Sequence, residues 1–172
     1  ENFLKYSPVA LILGDNLFYG NQIQKIFSEI SSDDAAIVGY NVSSPERYGV
    51  AEFKNDKIIK IHEKPKKFIS NLAITGLYFY DKDVVNNAKT LKPSLRNELE
   101  ITDLNNIYLK KGNLKIIKLE KGNSWLDVGT PSSLLNAANF ISIIEKRQGI
   151  KIACLEEIAW RNKWITKTSM IK

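Results

Sequence analysis

Val9-Ala10-Leu11-Ile12-Leu13-Gly14-Asp15-Asn16 is the stretch that decides the fold class of this chain. Five apolar residues follow one another without the polar alternation of a half-exposed strand. That pattern predicts a strand covered on both faces, inside a mostly parallel sheet. Ile23, Ile26, Phe27 and Ile30 then recur at helical spacing, and Ala35 to Val42 is a second apolar run closed by Ser-Ser-Pro. Strand, helix, strand is the βαβ unit of a parallel sheet with a right-handed crossover, so the expected class is α/β.

The middle of the chain changes character. Tyr48 to Phe53, Lys57 to His62 and Ala73 to Tyr80 are strand-like runs with short polar breaks, among them an Asn55-Asp56 turn, which predicts a meander or mixed sheet. Ile101, Leu104, Ile107 and Tyr108 mark a helix with Glu98 and Glu100 in its first turn and Gly112 past its end. Leu114 to Leu119 is one more strand. Thr130 as N-cap, Pro131 at the first helical position and Gly149 as the stop bracket a stripe of Leu134, Ala137, Ala138, Ile141 and Ile144. A shorter helix starts near Glu156 and Glu157 and carries Trp160 and Trp164. Two roles stand for these indoles: packing against the preceding helix, or a subunit contact. The opening residues, Glu1 to Tyr6, read as the end of a helix. The expected division is a domain over 1–149 and a C-terminal extension over 150–172.

Composition narrows the function classes. The 172 residues are 44% hydrophobic and 26% charged, an ordinary globular balance. The net charge of +6 is spread over scattered lysines without interleaved aromatics, which argues against a nucleic-acid partner. No apolar run approaches the roughly 18 residues of a membrane span, and one cysteine allows no internal disulfide, so a cytoplasmic, membrane-free protein is expected. Gly-x-Ser-x-Gly, His-Glu-x-x-His, Cys-x-x-Cys and a Walker-type glycine loop are all missing.

The candidate chemistry lies where apolar runs stop. Asp15 ends the first run, and Trp125-Leu126-Asp127-Val128-Gly129 places a second aspartate in the same way. Ligands of α/β sheets bind outside the carboxyl ends of strands, so aspartates leaving two strands can converge on one ion. Oxygen ligands with no histidine or cysteine beside them favour Mg²⁺. Taken singly, each aspartate is more simply a helix cap or a turn residue. Glu63 and Lys64 either pair a hydroxyl acceptor with a phosphate-binding charge or end a solvated strand. Arg96 is a phosphate fork or the partner of Glu98 and Glu100. Gly49 lets backbone approach a ligand or simply turns the chain. The single His62 reads as structural. Carboxylates for a hard cation, cations for phosphate and acceptors for hydroxyls suit phosphoryl or nucleotidyl transfer onto a sugar.

Read in order, Leu13-Gly14-Asp15-Asn16-Leu17-Phe18-Tyr19-Gly20, Pro45-Glu46-Arg47-Tyr48-Gly49-Val50, Glu63-Lys64-Pro65, Thr75-Gly76-Leu77-Tyr78-Phe79-Tyr80-Asp81, Glu98-Leu99-Glu100-Ile101-Thr102-Asp103 and Trp125-Leu126-Asp127-Val128-Gly129-Thr130 resemble the glucose-1-phosphate thymidylyltransferases. Glu145 to Gly149 and Cys154 to Ala159 are similar to the tail of the short form of that family. The resemblance implies a Rossmann-like mixed sheet of the nucleotide-diphospho-sugar transferase type, incomplete at its N-terminus. It also implies Mg²⁺-dependent conversion of dTTP and glucose 1-phosphate into dTDP-glucose and pyrophosphate, for dTDP-rhamnose or deoxysugar synthesis, by a homo-oligomer.

Carried over residue by residue, Asp15 and Asp127 hold the metal. Gly49, Glu63, the backbone at Ile74 and Thr75, and Gly76 cradle the glucosyl unit. Lys64 and Arg96 take its phosphate, and Trp125 and Tyr48 form walls. Tyr19, Gly20, Glu156 and Glu157 fall at a regulatory site between subunits. Asn97 replaces a customary glycine, Leu155 a proline and Asn21 a frequent histidine. The family's Gly-Gly-x-Gly-Thr-Arg loop has no match, so the expected piece is the metal and sugar-phosphate half. The alternative is a non-catalytic sugar-phosphate-binding or assembly module.

Overall fold

A computed structural model describes residues 3–94 and 96–170. In chain order the elements are β1 (Val9–Ile12), β2 (Asn16–Tyr19), α1 (Gln22–Glu29), β3 (Ala36–Asn41), a single 3₁₀ turn (Pro45–Arg47), β4 (Gly49–Lys54), β5 (Lys57–Glu63) and β6 (Leu72–Tyr80). They continue with α2 (Val84–Lys89), α3 (Ile101–Lys110), β7 (Lys115–Lys118), β8 (Ser124–Asp127), α4 (Pro131–Gln148), α5 (Leu155–Arg161) and α6 (Lys167–Met170). Two compact units divide the chain, Glu1–Asp127 and Val128–Lys172.

The first unit is organised by β6, whose nine residues are all buried. Its side chains alternate with the two-residue period of a strand. Leu72, Ile74, Tyr78 and Tyr80 join Ile37, Ala51, Ile61, Leu104 and Tyr108 in one core. Ala73, Leu77 and Phe79 join Ile26, Ala36, Val38, Leu119 and Trp125 in the other. Around β6 the sheet is therefore covered on both faces, as the Ala35 to Val42 run predicts.

Its connectivity inserts another strand into the expected βαβ unit. The order is β5-β4-β6-β3-β7, and β1 also pairs with β6. β1 and β3 both run antiparallel to β6 and so parallel to each other, which leaves the expected strand-helix-strand unit in place with β6 between its strands. β3 with β7 is the parallel pair among the described residues. The sheet is mixed, and the five-residue apolar run is not buried: Leu11 and Ile12 are 39% and 55% exposed. Among the described residues β1 has one strand neighbour, β6. Asn55 and Asp56 both adopt left-handed backbone, φ 49° and 59°, the primed turn that suits the β4–β5 hairpin.

Local signals decide the second unit. Thr130 caps α4 in a reciprocal box with Ser133, and Gly149 ends it at φ 65°. Glu145 then receives the Ile152 amide and the Lys151 ammonium, each at 2.9 Å, which folds the chain back after the helix. Trp160 and Trp164 are 42% and 74% exposed, so the expected core packing of these indoles is not what the fold does with them. The expected terminal helix at the start of the chain is also replaced: residues 3–6 form a turn, and Glu1 and Asn2 lie outside the described residues. α2 and the β2–β8 pairing went unforeseen, because neither carries a long apolar periodicity.

Candidate active site

β2 and β8 form a separate two-stranded antiparallel ribbon in which Asn16 stands opposite Asp127 and Phe18 opposite Trp125. This pairing brings the two aspartates together: Asp15 is one residue before the position that faces Asp127. Asp15 follows β1 and Asp127 ends β8, so the two aspartates leave two different strands, one of them in this ribbon. Both carboxylates line a cleft of about 230 Å³, with Tyr48, Gly49, Glu63, Lys64, Ile74, Thr75, Gly76 and Trp125. Leu13, Asn16, Arg47, Tyr78, Ile101, Thr102 and Asn105 complete its wall. Of the residues assigned above to metal, sugar or phosphate, Arg96 is the one absent from this lining.

Each wall has a physical cause. Gly49 faces Glu63 in the β4–β5 register, and the Lys64 amide donates to the Tyr48 carbonyl at 3.0 Å. Lys64 itself has left-handed backbone, φ 40°, so the chain turns at the mouth of the cleft. Thr102 donates its hydroxyl to Glu63 Oε2 at 2.5 Å, tying α3 to that wall. Thr75 is fully buried and donates its hydroxyl to the Val38 carbonyl at 3.0 Å. Its hydroxyl is therefore committed to the Val38 carbonyl. Tyr48 and Trp125 meet edge to face with ring centroids 5.0 Å apart.

The charges are unevenly committed. Arg47 lies 3.8 Å from Asp127 Oδ2, half exposed, with its guanidinium over the Tyr48 ring. Burial raises the Tyr48 phenol above its ordinary pKa; the Arg47 charge lowers it and the Asp127 charge raises it further. Tyr78, deeper in the cleft, is pushed up more strongly, first by burial and then by Glu63 and Asp15. Both phenols are neutral hydrogen-bonding groups at neutral pH. Lys64 forms no ion pair among the described residues. Arg96, in contrast, forks onto Glu100 with bonds of 2.8 to 3.1 Å and lies 3.5 Å from both Glu98 and Glu63. Glu98 and Glu100 precede α3 instead of forming its first turn. Asn97 takes φ 60°, the left-handed conformation that its usual glycine counterpart adopts freely and asparagine tolerates.

The regulatory expectation divides. Tyr19 and Gly20 end β2 beside a second cleft of about 420 Å³, lined by Asn21, Gln22, Lys25, Glu120 and Asn123 among others. Glu156 and Glu157 belong to α5 of the second unit, where Glu157 pairs with Arg161 at 2.6 Å. Among the cleft residues without an assigned role are Arg47 and Asn16. Arg47 stood in a quoted motif and was already noted as one of few arginines. Asn16 stood beside Asp15 with no signal of its own, since a lone asparagine after a strand reads as a turn.

A curled mixed sheet with carboxylates and cations at one end defines the Rossmann-like α/β class. Similarity to known proteins agrees with it. A family model described as Nucleotidyl transferase matches residues 1–143, and the chain belongs to that family. It is 48% identical over 170 residues to a glucose-1-phosphate thymidylyltransferase of Neisseria gonorrhoeae, covering 97% of this chain and 59% of that protein. It is 45% identical to one of Mycobacterium tuberculosis over 99% of this chain and 60% of that protein. The chain thus spans about three-fifths of the length of these relatives. Among solved structures, a Bacillus anthracis glucose-1-phosphate thymidylyltransferase in complex with sucrose superimposes with a TM-score of 0.69 at 41% identity, over 81% of this chain and 56% of that one. A UDP-glucose pyrophosphorylase complexed with UDP-glucose, 22% identical with a TM-score of 0.70, shares the fold.

Proposed function

We propose that the protein to which these residues belong makes dTDP-glucose and pyrophosphate from dTTP and glucose 1-phosphate. The observation that carries this reading is the single cleft holding Asp15, Asp127, Glu63 and Lys64 in a chain 45–49% identical to glucose-1-phosphate thymidylyltransferases. Glu63 and the backbone at Ile74, Thr75 and Gly76 would accept and donate to the sugar hydroxyls, with Trp125 and Tyr48 excluding water from the ring. Lys64 would hold the sugar phosphate, whose oxygen attacks the α-phosphorus in line. Positioning and charge stabilisation then supply most of the rate.

The donor set fits Mg²⁺. It consists of carboxylate oxygens alone, and among the described residues no third histidine, cysteine or acidic side chain joins them. Two carboxylates suit an ion that keeps several waters and takes the rest of its ligands from substrate phosphates. Asp15 and Asp127 would hold it, and the bound ion would neutralise charge on the phosphate oxygens. Arg96 reaches a phosphate only by leaving Glu100. A supply of activated glucose for dTDP-rhamnose or another deoxysugar, a homo-oligomeric state and a cytoplasmic site follow as parts of the same proposal.

The test is calorimetry of glucose 1-phosphate binding to the 172-residue chain, followed by pyrophosphate release with dTTP and Mg²⁺. Binding with release supports the transferase. Binding without release favours the second reading, a sugar-phosphate module that needs further groups for transfer. No binding of glucose 1-phosphate would overturn both.

A further inference from the structure

The Asn16 carboxamide is the point where three elements of the cleft meet. Its Oδ1 accepts the Gly76 amide at 2.9 Å and the Trp125 indole N–H at 2.6 Å. Both partners can only donate, which fixes the side chain's orientation and turns Nδ2 away from them. Nδ2 donates to Asp15 Oδ1 at 2.9 Å. One asparagine therefore joins β6, β8 and the aspartate before β2. The fit is close: a Cβ on Gly76 would lie 2.6 Å from the Asn16 amide carbon, so Gly76 is what lets the carboxamide sit there. Asn16 also stands opposite Asp127 in the register of the ribbon.

We propose that Asn16 is a positioning residue that aims the Asp15 carboxylate into the cleft, using Gly76 and Trp125 as its anchors. Engaging Oδ1 of Asp15 leaves Oδ2 to face a cation. A hydrogen bond from a neighbouring side chain to a ligating carboxylate restricts its rotation and commonly changes metal affinity by 10- to 100-fold. The inference rests on the reading that Asp15 and Asp127 bind a divalent ion, and it adds the group that holds one of them in place.

Mn²⁺ serves as the probe, its affinity measured by electron paramagnetic resonance on the full chain, with ¹⁵N–¹H spectra recording the Trp125 indole and Gly76 amide. Asp15→Asn should weaken Mn²⁺ binding. Asn16→Ala should shift both N–H resonances toward solvent-exposed values and weaken Mn²⁺ about tenfold. In the Asp15→Asn background, Asn16→Ala should cost nothing further, because its effect passes through Asp15. Trp125→Phe keeps the aromatic packing, removes one anchor, and should weaken Mn²⁺ by about threefold, a fraction of the loss of the whole bridge. It remains informative if Asn16→Ala does not fold. Unchanged Mn²⁺ affinity in Trp125→Phe or in Asn16→Ala, or equal losses with and without Asp15, overturns the positioning role and leaves the metal reading intact. Unchanged affinity in Asp15→Asn overturns both.

Discussion

The β2–β8 ribbon and the loop before α3 carry the charges of the same proposed reaction, and they hold them differently. In the ribbon, Asp15 accepts an asparagine amide, which orients its carboxylate without bringing a charge to it, and Asp127 stands 3.8 Å from the half-exposed Arg47. In the loop, Arg96 is matched on both prongs by Glu100, which is itself held by the Ser94 hydroxyl at 2.7 Å. A charged side chain is available to a ligand only to the extent that its neighbours leave it unmatched. On that ground Asp15 is the readier ligand for a cation, while the loop must first give up an ion pair before it can take a phosphate.

The largest expected effect falls on the ribbon. Asp127→Asn in the whole protein should lower the rate of pyrophosphate release by about 10²- to 10³-fold, the usual cost of removing one group that stabilises transition-state charge. A variant within fivefold of wild type would break the contrast at its stronger end. Next comes Gly76→Ala, whose methyl group collides with Asn16. Overpacking of this kind costs about 1–3 kcal/mol, read as a lower thermal midpoint.

A smaller difference separates the two cations. Lys64→Ala should weaken glucose 1-phosphate binding about tenfold, near 1.4 kcal/mol, by calorimetry, and Arg96→Ala by less, since Arg96 starts from a matched state. Arg96→Ala as the more damaging change would show that the loop opens at little cost.

The pH response of the loop is the finest probe. Glu100 has its carboxyl held below the ordinary range, first by the Ser94 hydroxyl and then by Arg96, against an opposing effect of burial. A depressed folded-state pKa supplies stability that is present above the unfolded value, about 4.3, and is lost as pH falls through the folded one. Thermal midpoints should therefore drop less steeply below about pH 4 in Glu100→Gln than in wild type. Parallel curves would remove the loop's ion pair from the argument.

Different kinds of residue made these regions legible to different degrees. α4 was readable to its ends because Thr130, Pro131 and Gly149 act within a few residues of themselves, through capping and φ preference. β4 and β5 were readable because the tight Asn55-Asp56 turn marks the break between them, and β6 because polar residues bound its apolar run. The members of the cleft were recognised as a set by family resemblance, and one local environment puts them together, with Arg96 as the exception. The resemblance placed Arg96 on a phosphate. The alternative drawn from the residues alone, pairing with Glu98 and Glu100, is the arrangement the fold adopts. The role of Asn16 was not readable, because it depends on donors from Gly76 and Trp125, which are remote in sequence.

The sequence by itself determined the class of fold, most of the elements, the caps of α4 and the chemical inventory of carboxylates, cations and hydroxyl acceptors. These depend on periodicity, backbone preference and side-chain type, which act over short stretches of chain. Only the tertiary structure decided that β6 would run antiparallel between β1 and β3, and that an antiparallel ribbon would bring the two aspartates together. It also decided which arginine faces the cleft. Strand register and the competition among charges for one another are settled by groups far apart along the chain, so they exist only once the chain has folded.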